Sequence, residues 1–263
     1  MKRTLIYLTL IVGITAIIGA CKKNEDDDSS STTGGCQAVS ACSTTASGAI
    51  TGIDNASLSG TFSMTHKWAA SLSGIDNTTG CTTNSTLLSG FSSNLPTGTA
   101  SFTVKRVVTS SSTFADVWST YSDTSCSTEI ATLAIGYGDI SVNDNVTNLT
   151  ADTNDDLGTT ATKVTFKQNC LKGKGSTSAG TTWLSNFTSG SNITWNAGEE
   201  LTCSASHDTY YALWHVDNSS KRQNASNGMD NYTKHVWDDE NSSSAYPTAW
   251  DGDGSNYSAW FEL

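Results

Sequence analysis

Short runs in which apolar and polar side chains alternate residue by residue set the tightest limit on how this chain folds. Across residues 61–68, Phe62, Met64, His66 and Trp68 fall on one face, with Thr61, Ser63, Thr65 and Lys67 on the other. Residues 101–108 group Phe102, Val104 and Val108, although Arg106 shares their face. Residues 162–167 place Val164 and Phe166 inward, and 210–216 align Tyr210, Ala212, Trp214 and Val216. Segments 130–137 and 232–237 are further candidate strands. A period of two is the signature of a strand with one wet face. Clusters of Gly, Asn, Asp and Ser at 74–80, 143–148 and 152–158 tolerate turn conformations and punctuate the runs. No stretch of a dozen residues carries a 3.6-residue period with caps. The pattern predicts an all-β fold, an antiparallel barrel or a β-sandwich.

Composition narrows the function classes. The 263 residues include 39 Ser and 40 Thr, 15% charged residues and only two Pro. The net charge of −11 argues against a nucleic-acid partner, which needs a clustered basic surface. An apolar fraction of 36% is low for one large core, yet 9% aromatics and the alternation argue against disorder.

The N-terminus carries an export signal. Met1-Lys2-Arg3 is a basic start, and residues 5–18 form an apolar run too short for a comfortable membrane span. The run ends in Ile18-Gly19-Ala20-Cys21, which resembles the lipobox of bacterial lipoproteins. That resemblance implies cleavage before Cys21 and acylation of its thiol and new amino terminus. Several acyl chains on one residue hold a protein stably, whereas one gives marginal attachment. The chain then divides into a signal peptide (1–20), an acidic, Ser-rich tether (21–35) and a β-domain (36–263), with an aromatic-rich module from about residue 204. Polar, Gly/Ser-rich chain cannot order itself by burial, and about 14 such residues reach about 20 Å. Lys22 directly after the cysteine resembles lipoproteins sorted to an outer membrane, and the run Asp26–Asp28 resembles surface-export tethers. The expected location is the outer membrane, lipid-anchored and facing outward.

Seven cysteines minus the acylated one leave Cys36, Cys42, Cys81, Cys126, Cys170 and Cys203. An even set in an oxidising compartment reads as three disulfides out of 15 pairings. Cys36 and Cys42 are close enough for a local loop, and the remaining four are assigned as Cys81–Cys126 and Cys170–Cys203. None of the spacings is a CxxC zinc pair.

From Gly60-Thr61-Phe62 to Cys203 the chain resembles small secreted lipocalin-like domains. The resemblance rests on the Gly-x-aromatic opening strand, early Cys81, the corner Tyr121-Ser122-Asp123-Thr124-Ser125-Cys126, and the strand Gly136-Tyr137-Gly138. It implies an up-and-down barrel with a ligand cavity, and names no ligand.

Few residues nominate themselves for chemistry. Asp251, Asp253, Ser255 and Glu262 stand at positions 1, 3, 5 and 12 of a calcium-loop pattern. The chain shown leaves no room for an exiting helix, so the expectation is an inter-strand calcium loop and not an EF-hand. Asp152, Asn154 and Asp156 repeat the 1-3-5 spacing. His207-Asp208 and His215-x-Asp217 offer an imidazole beside a carboxylate, but no Gly-x-Ser-x-Gly elbow or His-Glu-x-x-His accompanies them. Glu199-Glu200 and Asp238-Asp239-Glu240 suggest a glycosidase pair, except that neighbours on a strand point to opposite faces. Residues 173–176, Gly-Lys-Gly-Ser, lack P-loop spacing and read as a turn. The C-terminal third is rich in aromatics that serve as core or as platforms for sugar and protein contacts. Trp250 and Tyr257, flanking the candidate calcium loop, are the pair placed to bind.

The expectation is a non-enzymatic lipoprotein without an obligate cofactor, displaying a β-domain that binds a small apolar ligand, a glycan or a protein partner. The alternatives are a surface polysaccharide hydrolase using carboxylates from separate strands, and a structural coat protein. A pocket with two carboxylates about 5 to 10 Å apart favours the hydrolase. An apolar cavity favours a small ligand, and a filled interior with exposed rings favours a glycan or partner.

Overall fold

The computed structural model describes residues 42–65, 74–76, 78–149, 159–189, 193–204, 209–217, 221–223, 229–231, 235–241, 245–249 and 257–263. Thirteen strands run through them: β1 (Ala49–Ile53), β2 (Ala56–Ser59), β3 (Thr61–Thr65), β4 (Ser101–Val108), β5 (Phe114–Tyr121), β6 (Glu129–Val146), β7 (Ala161–Gly175), β8 (Glu200–Ser204), β9 (Tyr210–Asp217), β10 (Lys221–Gln223), β11 (Met229–Asn231), β12 (His235–Asn241) and β13 (Tyr257–Glu262). Two helices join them, α1 (Ser85–Phe91), continued by a 3₁₀ turn at Ser92–Asn94, and α2 (Ser178–Phe187). The expected antiparallel, disulfide-stapled β class is what forms.

Nine strands make one antiparallel sheet in the order β6-β5-β4-β3-β13-β12-β9-β7-β8, and β6 also pairs with β7. Hydrogen-bonded neighbours therefore lead back to the starting strand, with β8 appended beyond β9 on the free half of β7. By the shorter route, through β6 and β7, β5 and β9 are three steps apart, about 14 Å at ordinary strand spacing. Yet the Phe114 and Trp214 rings on those strands have centroids 5.4 Å apart. The sheet curls until its inner faces meet. Phe114, Tyr137, Phe166, Tyr210 and Trp214 fill the space between in stacked and edge-on pairs. The result is a filled, sandwich-like core, not the open cup that the lipocalin-like resemblance implies.

The strand limits follow the alternation where it is strong. β4 occupies the expected 101–108, and β9 extends the expected 210–216 by one residue. Arg106, the charged residue on the apolar face of β4, is buried. Its Nε and Nη2 donate to Asp116 Oδ1 and Oδ2 on β5, both at 2.8 Å. Its guanidinium also lies 4.3 to 5.4 Å from the ring centroids of Trp260, Phe114 and Trp214. A bidentate carboxylate and ring faces replace the water that a charge would otherwise retain.

Two sequence expectations about turns are corrected. Residues 143–146 lie in the 18-residue β6, and only 147–149 leave the strand. Pairing with the long β7 overrides local turn preference, and three register shifts absorb the irregular stretch. Residues 173–175 likewise belong to β7. Glycine stands at 173 because a Cβ there would lie 2.6 Å from the Trp195 ring, so the residue makes a close approach and no turn.

Both ends of the sheet are covered. At one end the β1–β2 hairpin folds over Val142, Thr162 and Val216, burying Ile50, Ile53 and Leu58. Its two-residue turn, Asp54-Asn55, has φ of 48° and 62°, the left-handed pair that such a hairpin requires. At the other end α1 drives Phe91 against Phe102 and Trp118, while α2 contributes Leu184 beside Trp195. Each helix begins at a polar cap. Asn84 Oδ1 accepts from the N–H of Thr86 and Leu87 at 3.1 Å, and Thr177 Oγ1 from Gly180 at 3.1 Å.

Cys81–Cys126 forms as expected. The other two assignments are corrected: Cys42 bonds Cys170, not Cys36, and Cys170 is therefore unavailable to Cys203. The physical reason is the β6–β7 register, which sets Gly136 opposite Cys170 and leaves the space of a missing side chain for the two sulfurs. Cys203 is also disulfide-bonded.

Candidate functional site

A groove of about 440 Å³ runs along the outside of the helical end. One wall is the segment after α1, with Ser93, Asn94, Leu95, Pro96 and Thr97. The other is the face of α2 that carries Ser178, Ala179, Thr182, Trp183, Asn186 and Phe187. Helical spacing sorts that face into two parallel ridges. Ser178, Thr182 and Asn186 recur every four residues as an exposed hydroxyl and amide ridge. Ala179, Trp183 and Phe187 form the neighbouring apolar ridge, each partly buried. The Trp183 indole N–H donates to the Asn94 carbonyl at 2.7 Å, which ties the two walls and fixes the ring. Trp183 and Phe187 lie 6.2 Å apart, tilted by 47°. Among the described residues, no Asp, Glu, Lys or Arg lines this groove.

The hydroxyls of α2 divide by face. Thr181, Ser185 and Thr188 donate to helix carbonyls at 2.8 to 2.9 Å. The Ser178, Thr182 and Asn186 side chains have no such bonds among the described residues and stand open to the groove.

A second depression, about 550 Å³, lies beside the Cys81–Cys126 bridge and includes Lys105, Tyr121 and Asp76. Asp76 Oδ1 accepts from the N–H of Thr78 at 2.8 Å and of Thr79 at 3.2 Å, so the carboxylate secures its own turn. The Thr78 amide foremost holds its carboxyl below the usual range. Neither depression brings two carboxylates together among its lining residues.

The residues singled out from sequence scatter over the fold. Asp251, Asp253, Ser255 and Trp250 lie outside the described residues. Glu262 is on β13 opposite Phe62, and Tyr257 opens the same strand opposite Asp239. Asp152, Asn154, Asp156, His66, His207 and Asp208 also lie outside them. No group of three or more His, Cys, Asp or Glu is placed to hold a metal among the described residues.

His215 meets a different carboxylate from the one two residues on. Its Nδ1 is 2.8 Å from Asp54 Oδ2, within ion-pair distance but without the alignment of a hydrogen bond. The same Asp54 oxygen accepts from the Val216 N–H at 2.9 Å. Thr162 Oγ1 accepts from the Asp54 N–H at 2.8 Å and donates to Asn145. This network latches the β1–β2 hairpin.

Glu199 accepts from the Asn196 amide at 2.7 Å, and Glu200 lies 3.1 Å from Lys172. Each has a local structural partner. Asp238, Asp239 and Glu240 occupy successive positions of β12.

Of the C-terminal aromatics, Tyr210, Trp214 and Trp260 are core residues. Tyr246 stays outside, edge-on to Tyr211 at 5.2 Å, beneath Lys163 and accepting from the Asn143 amide at 3.0 Å. Burial is the main cause that pushes its phenol above the usual value.

Sequence reading missed Trp183, Phe187 and Leu95. The signal was present as the Thr177 cap followed by the two four-residue ladders. It spans ten residues, below the dozen that the helix criterion required. Against known proteins, the chain matches no family model and no curated relative.

Proposed function

We propose that this chain is an exported lipoprotein, acylated at Cys21 and displayed at the outer surface of an outer membrane, whose β-domain binds a ligand without transforming it. The observation that supports binding on the outside is the filled interior. Aromatic rings and the Arg106–Asp116 pair occupy the space where a lipocalin-like cup would receive a small apolar ligand. Recognition is therefore assigned to the groove between α2 and the segment after α1. The lipobox and the acidic tether supply the membrane attachment.

The reading is tested by external protease on whole cells, followed by detergent-phase partition of the membrane fraction. The expected result is loss of the domain under protease and partition of intact protein into detergent. A protein that resists shaving in intact cells and partitions into water contradicts it.

A further inference from the structure

We propose that the groove binds an uncharged oligosaccharide, with Trp183 as stacking platform and Ser178, Thr182 and Asn186 as hydrogen-bonding rail. The inference rests on the binding-domain reading and names its ligand class. A sugar ring is amphipathic across its own thickness: one face presents C–H groups and the rim presents hydroxyls. The two ridges of α2 reproduce that division in parallel, with positions along each ridge about 6 Å apart. Trp183 is held by its bond to the Asn94 carbonyl, so stacking costs little side-chain ordering. The rail groups are exposed and unengaged among the described residues, whereas the other hydroxyls of α2 bond back to the helix. Among the described residues the lining carries no charge, so it offers none of the groups that recognise uronic or sulfated sugars.

An extended peptide fits less well. Peptide capture by strand addition needs a free sheet edge, and both walls here are helix and turn. The Asn94 and Pro96 carbonyls are already accepting from Trp183 and Thr99.

The test uses the full acylated protein in a detergent without a sugar headgroup. Calorimetry and tryptophan fluorescence are run against neutral hexasaccharides of glucose and of N-acetylglucosamine in different linkages, alongside oligogalacturonate and a panel of extended peptides. At least one neutral hexasaccharide is expected to bind with sub-millimolar Kd. Trp183→Ala is expected to weaken it at least tenfold. Because that change also removes a wall-tying bond, the exposed double variant Thr182→Ala/Asn186→Ala is measured beside it. It is expected to weaken binding at least fivefold with an unchanged thermal midpoint. Binding of no neutral sugar, or binding indifferent to both variants, overturns the proposal. Binding of only the anionic sugar or a peptide also overturns it, while leaving a ligand-binding domain in place. Surface display is read separately by protease shaving, so the two failures are distinct.

Discussion

Arg106 shows how much a single residue departs from what its position in a pattern suggests. Alternation puts it on the apolar face of β4, and the fold keeps it there by pairing it with Asp116 and three aromatic faces. Removing one member of such a pair leaves the other charged and dry, which costs about 3–5 kcal/mol, whereas apolar replacement of both is often neutral. Chemical denaturation is accordingly expected to show a large loss for Asp116→Ala and a smaller one for Arg106→Met/Asp116→Leu. A double variant at least as unstable as the single one contradicts the role assigned to the pair.

Asp123 is the opposite case, a partly exposed residue that organises a corner. Its carboxylate accepts from the Ser125 hydroxyl at 2.6 Å and the Ser125 N–H at 2.8 Å, and from Ser127 and Thr128. The Ser125 hydroxyl foremost holds its carboxyl far below the usual carboxylate range. A folded-state value below the unfolded one stabilises the fold above the unfolded value, near 3.9, and that contribution fades as pH falls toward the folded value. Carboxyl NMR titration is therefore expected to find Asp123 still ionised where ordinary aspartates have protonated. Asp123→Ala is expected to lower the thermal midpoint at pH 7, with the difference shrinking in strong acid. A titration midpoint near 3.9 contradicts this.

At the scale of elements, the β1–β2 hairpin acts as a lid on one end of the sheet, and its hold is concentrated at the Asp54 turn. Asp54→Ala deletes the acceptor for the Val216 amide and the carboxylate beside His215. Leaving such groups without their partner costs about 1–3 kcal/mol. Hydrogen exchange is expected to quicken in β1 and β2 well before the β4–β5 core. Uniform acceleration across all strands contradicts a separable lid.

Strand positions were legible where apolar side chains recur at every second residue, as in 101–108, although there the intervening Ser101, Thr103 and Val107 are buried as well. The length of β6 was not, since residues 143–146 are held by pairing with β7 and not by their own preference. The short helices escaped for a related reason. Ten residues with a cap carry too little periodic signal to stand apart from Ser- and Thr-rich chain, and with α2 the groove was lost from view. Cys81–Cys126 was found and Cys42–Cys170 was not, because partner choice depends on register across 128 residues.

Over the whole molecule, a chain with few aliphatic residues secures itself by aromatic filling and by covalent closure. Cys42–Cys170 closes 128 residues and Cys81–Cys126 closes 45. In the chain-entropy limit these constrain the unfolded state by about 5 and about 4 kcal/mol, with the smaller loop nested inside the larger. Such stapling suits the exported, lipid-anchored domain proposed above. Intact mass of the protein extracted from native membranes, with and without reduction, tests that account most directly. It predicts a chain beginning at Cys21, carrying added acyl mass, and gaining about six daltons on reduction as three bridges each take up two hydrogens. An unacylated chain, or one that gains no mass on reduction, contradicts it.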